Sequence, residues 1–109
     1  MKLPLQIVFH GLDKSPALET VITTKVAGLE RFDQGLISCR VTVEQDGRHQ
    51  HQGREVSVKV DVSVPGQEIV VTRKHADAHL AVNEAFEALR RLLKDHAAQR
   101  RGEVKQHAS

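Results

Sequence analysis

Three segments of the chain alternate hydrophobic residues with polar or small ones at a period of two, which is typical of β-strands that bury one face. The clearest is 56–64, where a valine occupies every second position. Residues 37–43 and 3–9 alternate in the same way, and the segment "EIVVTRK", 68–74, which follows the turn signal Pro65-Gly66, predicts a fourth strand. The positions expected to face a core in the first three strands are Leu3, Leu5, Ile7 and Phe9, then Ile37, Cys39, Val41 and Val43, then Val56, Val58, Val60, Val62 and Val64.

Two longer segments repeat hydrophobic residues every three or four positions, which predicts amphipathic helices. The first begins at Pro16, with Ser15 as its N-cap. The second runs from about Asp77, its N-cap, to Arg101, because neither proline nor glycine interrupts it before Gly102. The stripe residues are Leu18, Val21, Ile22, Val26, Leu29 and Phe32 in the first helix, and Val82, Ala85, Phe86, Leu89, Leu92 and Leu93 in the second.

The predicted order of elements is therefore β-α-β-β-β-α, in the α+β class. Because each strand is apolar on one face, both helices should pack on the same face of a four-stranded, mostly antiparallel sheet. A chain of 109 residues suits one domain, which we expect to span 1–102, followed by a flexible tail at 103–109. The predicted core includes Leu18, Val41, Val58, Val60, Phe86 and Leu89.

Composition indicates a globular cytoplasmic protein. Hydrophobic residues make up 39% of the chain, and no apolar run reaches the roughly 20 residues that span a bilayer, so no membrane partner is expected. The single cysteine, Cys39, excludes an internal disulfide and fits a reducing compartment. It falls on the inward phase of its strand, where a thiol behaves as a small hydrophobic group.

No catalytic or cofactor-binding motif is present, so we expect no enzyme activity, no cofactor and no small-molecule substrate. His49 and His51, in "GRHQHQGR", fall in the hairpin predicted between the second and third strands. A stable zinc site needs three or four ligands. A second pair of histidines that are close to each other in the sequence, His75 and His79, completes no known signature. Scattered surface histidines are the commoner case, and we expect no bound metal.

Positive charge is concentrated at the C-terminal end, although the net charge is only +2. Residues 88–109 hold six Lys and Arg against two acids, whereas 1–87 hold ten against twelve. This asymmetry predicts either a polyanionic partner or a solvated helix face. At 100° per residue, Arg90, Lys94 and Arg101 form a row away from the apolar stripe, which is a pattern typical of phosphate contacts.

Two other basic residues have different surroundings. Arg91 follows Glu87 by four residues, which predicts an ion pair on the helix surface. Lys25 lies within the apolar stripe of the first helix, so its side chain must extend to the edge of the sheet or contact a partner, and both alternatives stay open. The three phenylalanines all fall in core phase, so any RNA contact should be to backbone and shape rather than by base stacking.

The order of elements, the segment "TTKVAGLERF" and a capping Asp before a long basic helix ending in "KQH" resemble the ribosome hibernation-promoting factors, also called sigma-54 modulation proteins. The resemblance covers residues 3–107. It implies a translation inhibitor that binds rRNA of the small ribosomal subunit, in the channel used by mRNA and tRNA. The alternative is a protein-interaction or regulatory module that does not bind ribosomes.

The resemblance also implies site residues. Lys25, Arg31 and Arg91 match basic positions of the family's helices, whereas Gly28 stands in place of a frequent lysine. We expect the protein to be a monomer. The resemblance, the cationic row and the shift of charge towards the helix end together give the expected rRNA-binding residues. They are Lys25, Arg31, Arg90, Arg91, Lys94, Arg100 and Arg101.

Overall fold

A computed structural model of the chain describes residues 3–32, 35–45 and 55–107, with side chains described for 3–31, 35–45 and 55–99. It confirms the predicted α+β class and the order β-α-β-β-β-α. The elements are β1 (Leu5–His10), α1 (Pro16–Phe32), β2 (Ser38–Gln45), β3 (Val56–Val64), β4 (Gln67–His75) and α2 (Ala78–His107).

The four strands form one sheet in chain order, β1-β2-β3-β4. β1 pairs with β2 in parallel, because α1 connects them, and the other two pairs are antiparallel. The register places Val41 between Ile7 and Val60, so hydrophobic residues of neighbouring strands share one face. The neighbouring rung places Thr42 between Val8 and Lys59 on the opposite face, which we call the open face.

Both helices cover the hydrophobic face of the sheet, as predicted. All six residues expected in the core are buried, and the Phe86 side chain is only 3% exposed. Each helix contributes a stripe at helical spacing, because residues three or four apart lie on one side of a helix. The buried stripe residues are Leu18, Ile22, Val26 and Leu29 in α1, and Ala81, Val82, Ala85, Phe86, Leu89 and Leu93 in α2.

Among the side chains that the structure describes, two that are predicted to face the core are exposed instead, whereas the side chain of Phe32, also predicted to face it, lies outside them. Ile37 is 54% exposed, because β2 begins one residue later, at Ser38, and Ile37 lies before the strand. Leu92 is 43% exposed, although its neighbour Leu93 is buried. A helix on a sheet buries a narrower stripe than the hydrophobic pattern of α2 covers, and Leu92 lies at its margin.

The two predicted N-caps are confirmed. The backbone N–H of Leu18 donates to Ser15 Oγ at 3.1 Å. Asp77 Oδ1 accepts hydrogen bonds from the N–H groups of His79 at 2.8 Å and Leu80 at 3.3 Å. These side-chain oxygens satisfy backbone donors that have no partner within the first helical turn, so both helices start where the sequence predicts.

Helix α2 ends at His107 rather than near Arg101. A single glycine in a helix costs about 1 kcal/mol relative to alanine, and the segment after Gly102 contains good helix formers. Residues 103–107 are therefore helical, although the sequence assigned them to a tail. The flexibility of 103–109 stays a prediction.

Candidate nucleic-acid interface

A cleft with a volume of about 610 Å³ lies between α1 and α2. Its floor includes the buried side chains of Leu29 and Phe86, which belong to the core. The walls are polar and mostly charged. They are formed by Thr24, Lys25, Gly28 and Arg31 of α1, and by Leu80, Asn83, Glu84, Glu87 and Arg90 of α2.

Each wall of the cleft is one face of one helix. Thr24, Gly28 and Arg31 follow one another at intervals of four and three residues, and α2 repeats this spacing from Asn83 onwards. Residues at such intervals project from the same side of a helix. The packing of the two apolar stripes on the sheet thus turns these faces towards each other.

A second, shallower depression of about 280 Å³ lies further along α2. It is lined by Glu87, Arg90, Arg91 and Lys94. Because Glu87 and Arg90 also line the cleft, the two depressions form one continuous surface. We call its basic side chains the cationic strip: Lys25, Arg31, Arg90, Arg91 and Lys94.

The cationic strip unites five of the seven residues predicted to bind rRNA. The other two, Arg100 and Arg101, belong to α2, but their side chains lie outside those the structure describes. Of the predicted row, the structure therefore shows the side chains of Arg90 and Lys94 on one surface, whereas the position of the Arg101 side chain stays a prediction.

Lys25 is half-buried and lines the cleft beside α2. The buried stripe of α1 runs through Ile22, Val26 and Leu29, so Lys25 lies at its border and not at its centre. Its side chain therefore lines the space between the helices. In this position it can contact a ligand in the cleft.

The predicted ion pair between Arg91 and Glu87 is present. The distance from Arg91 Nη2 to Glu87 Oε1 is 3.9 Å, and the side chains are 76% and 74% exposed. An exposed pair of this kind contributes between nothing and about 1 kcal/mol to stability. Arg91 can therefore exchange this partner for a phosphate at little cost.

Two residues of this surface, Leu80 and Glu84, were not predicted from the sequence. Glu84 lines the cleft, and Leu80, which is 44% exposed, stands beside it. The sequence does place Leu80 on the same side of α2 as two charged residues, because Leu80, Glu87 and Lys94 follow one another at intervals of seven residues. That repeat marks one side of α2, and it includes an acidic residue as well as a basic one.

The structure also describes the other candidate chemical groups. Burial and, second, the negative charge of Asp61 raise the pKa of the Cys39 thiol to about 12, so the group is neutral at physiological pH. Within the described ranges, no three His, Cys, Asp or Glu side chains are grouped to hold a metal ion. His75 Nδ1 accepts the N–H of Asp77 at 3.1 Å, whereas His49 and His51 lie outside the described residues.

Comparison with known proteins identifies relatives of this fold and sequence. Residues 5–101 match the family described as sigma 54 modulation protein / S30EA ribosomal protein. No curated protein sequence matches significantly. In the described part of the chain, neither helix combines the length and the hydrophobicity needed to cross a membrane.

Two solved structures share the fold. A ribosomal subunit interface protein from Coxiella burnetii is 19% identical, with a TM-score of 0.76, and the match covers 88% of this chain and 99% of that one. The N-terminal domain of Protein Y from Thermus thermophilus is 21% identical, with a TM-score of 0.71 and coverage of 86% and 99%. At these identities the similarity establishes a common fold.

Proposed function

The chain belongs to the sigma 54 modulation protein / S30EA ribosomal protein family, and from this premise we propose that it is a hibernation factor that binds the ribosome and inhibits translation. The proposed site is the channel of the small subunit that mRNA and tRNA use. Binding there would exclude both substrates of translation without any catalytic step. The protein would act as a monomer in the cytoplasm, where ribosomes are found.

The observation that carries this proposal is the continuity of the cationic strip. It brings Lys25 and Arg31 of α1 next to Arg90, Arg91 and Lys94 of α2. Lysine and arginine side chains bind phosphate oxygens, and each phosphate that is neutralised releases condensed counterions. A surface of this kind fits the backbone of folded rRNA.

The aromatic residues support contact with backbone rather than with stacked bases. The chain has no Trp or Tyr, and Phe86 is buried beneath α2. Modules that bind single strands by stacking expose several aromatic rings on their binding surface. The proposed interface relies on charge instead.

Sedimentation of the full chain with purified small subunits tests the proposal. We expect the protein to migrate with the subunit in a sucrose gradient at low salt and to remain at the top at high salt, because counterion release drives the binding. Excess mRNA with initiator tRNA should displace it if all three occupy the same channel. A protein that stays at the top of the gradient at every salt concentration would support the alternative, an interaction module that does not bind ribosomes.

A further inference from the structure

The acidic side of the cleft is not explained by phosphate binding. Glu84 would repel a phosphate, yet it lies on the wall opposite Lys25. Within the described part of the chain, no hydrogen bond or ion pair is found for the side chains of Lys25, Asn83 or Glu84. The cleft therefore offers a carboxylate, an amide and an ammonium group that are all available to a ligand.

Gly28 keeps the same cleft open. It lies inside α1, where glycine costs about 1 kcal/mol relative to alanine. A Cβ atom at this position would meet no atom within 4 Å, and Gly28 is not among the residues with positive φ. Neither close packing nor backbone geometry requires glycine here. The consequence of the missing side chain is space in the cleft.

We propose that the cleft binds one unpaired guanine base of RNA while the cationic strip holds the neighbouring phosphates. The proposal deepens the proposed function and rests on it. A cleft of about 610 Å³ falls within the range of small-molecule sites, roughly 300–1,000 Å³, and admits a nucleotide. Leu80, which is 44% exposed, provides an apolar contact for one face of the base.

The polar groups select guanine among the four bases. Guanine carries two adjacent donors, N1–H and N2–H, which one carboxylate accepts together, and Glu84 supplies that carboxylate. Its O6 and N7 atoms are acceptors, which suit donors such as Lys25 Nζ and Asn83 Nδ2. Uracil has a single donor on its pairing edge, and adenine and cytosine have one amino group each. None of these three satisfies a carboxylate with two parallel hydrogen bonds.

The test uses five-nucleotide RNAs of sequence UUNUU and the full chain, measured by fluorescence anisotropy. With guanine at N we expect about tenfold tighter binding than with uracil, the discrimination typical of one bidentate pair. An RNA that lacks the central base should bind like the uracil RNA, because it keeps all the phosphates.

Two variants separate the base from the phosphates. Glu84→Gln removes the bidentate acceptor, and Gly28→Leu fills the open space without changing any charge. Both should bind the guanine and uracil RNAs with about equal affinity and should bind the abasic RNA no more weakly than the parent protein. Glu68→Gln, which removes an acid from the open face, is the matched control and should keep the preference. Circular dichroism confirms that each variant is folded.

Equal affinity of the parent protein for the guanine, uracil and abasic RNAs would overturn the inference, as would a guanine preference that survives in both cleft variants. These outcomes are independent of the sedimentation experiment. A protein that sediments with the small subunit but shows no preference for guanine contradicts only the base site. A protein that fails to sediment contradicts the proposed function, whatever its affinity for the short RNAs.

Discussion

The helix side and the open face of the sheet both carry charged residues, but they arrange them differently. On the open face, three basic and three acidic residues of the described strands balance, and the register places Arg40 directly opposite Asp61. On the helix side the cationic strip sets five basic residues against Glu84 and Glu87. The charged residues of the open face are Arg40, Lys59, Lys74, Glu44, Asp61 and Glu68.

This difference shows why a net charge of +2 is a poor guide to the partner of this protein. Arg40 and Asp61 lie opposite each other on paired strands, an arrangement in which opposite charges attract. Arg90 and Lys94 are instead basic residues one helical turn apart on the same helix. Two basic side chains at this spacing can bind one phosphate between them. We therefore expect the helix side, and not the open face, to contact a polyanion.

The largest expected effect comes from the core residue that supports the helix side. Phe86→Ala should reduce the free energy of unfolding by about 3–5 kcal/mol, because it leaves a cavity under α2. Urea denaturation measures this change. Val70→Ala is the control on the open face, where the side chain is already 46% exposed, and it should cost less than about 1 kcal/mol. Equal losses for the two variants would show that the two faces are not packed as described.

The next effect concerns charge alone. Replacing Arg90, Lys94 and Arg101 by glutamine should weaken binding to the small subunit and make its salt dependence shallower by up to about three units, one for each lost phosphate contact. Glutamine is a comparable helix former, so α2 should stay intact. The matched variant replaces Arg40, Lys59 and Lys74 on the open face and should leave the slope unchanged. A larger change in the open-face variant would reverse the comparison.

A smaller effect is expected for Arg91. The family resemblance makes it an rRNA-binding position, whereas helical geometry places it outside the row of Arg90, Lys94 and Arg101. Its exposed ion pair with Glu87 already neutralises part of its charge, so Arg91→Gln should change the salt slope by less than about one unit. The same sedimentation assay measures it. If Arg91→Gln alone abolishes binding while the triple variant of Arg90, Lys94 and Arg101 binds normally, the family resemblance identifies the rRNA contact better than the helical geometry does.

The smallest effect concerns the thiol of Cys39 on the covered face of the sheet. The folded state keeps the thiol proton up to a pKa of about 12, whereas the unfolded state releases it near the ordinary pKa of 9.0. This group therefore lowers stability only as the pH rises from about 9 towards about 12. Near pH 8 a thiol reagent should therefore react slowly with Cys39 in the folded protein. With Cys39→Ala and Thr72→Cys combined, the thiol moves to an exposed position and should react rapidly. Fast labelling of Cys39 would show that the helices do not cover this face.

Much of the fold follows from local pattern. The valine at every second position of β3 predicts both the strand and its buried side, and Ser15 and Asp77 predict the helix starts. The errors occur where packing or helix continuity outweighs the pattern. Leu92 is apolar and in phase, yet it lies at the margin of the contact with the sheet. Gly102 disfavours a helix only weakly, and α2 continues past it.

By itself, the sequence determined the elements, their order and the buried side of each, because hydrophobic spacing and capping act between residues a few positions apart. It also identified the basic residues of the strip one at a time. Only the tertiary structure decided that Lys25 and Gly28 face Glu84 across a cleft. These residues are more than fifty positions apart in the chain, and no local pattern relates them. They meet because two apolar stripes pack side by side on the same sheet, which turns one polar wall of each helix towards the other.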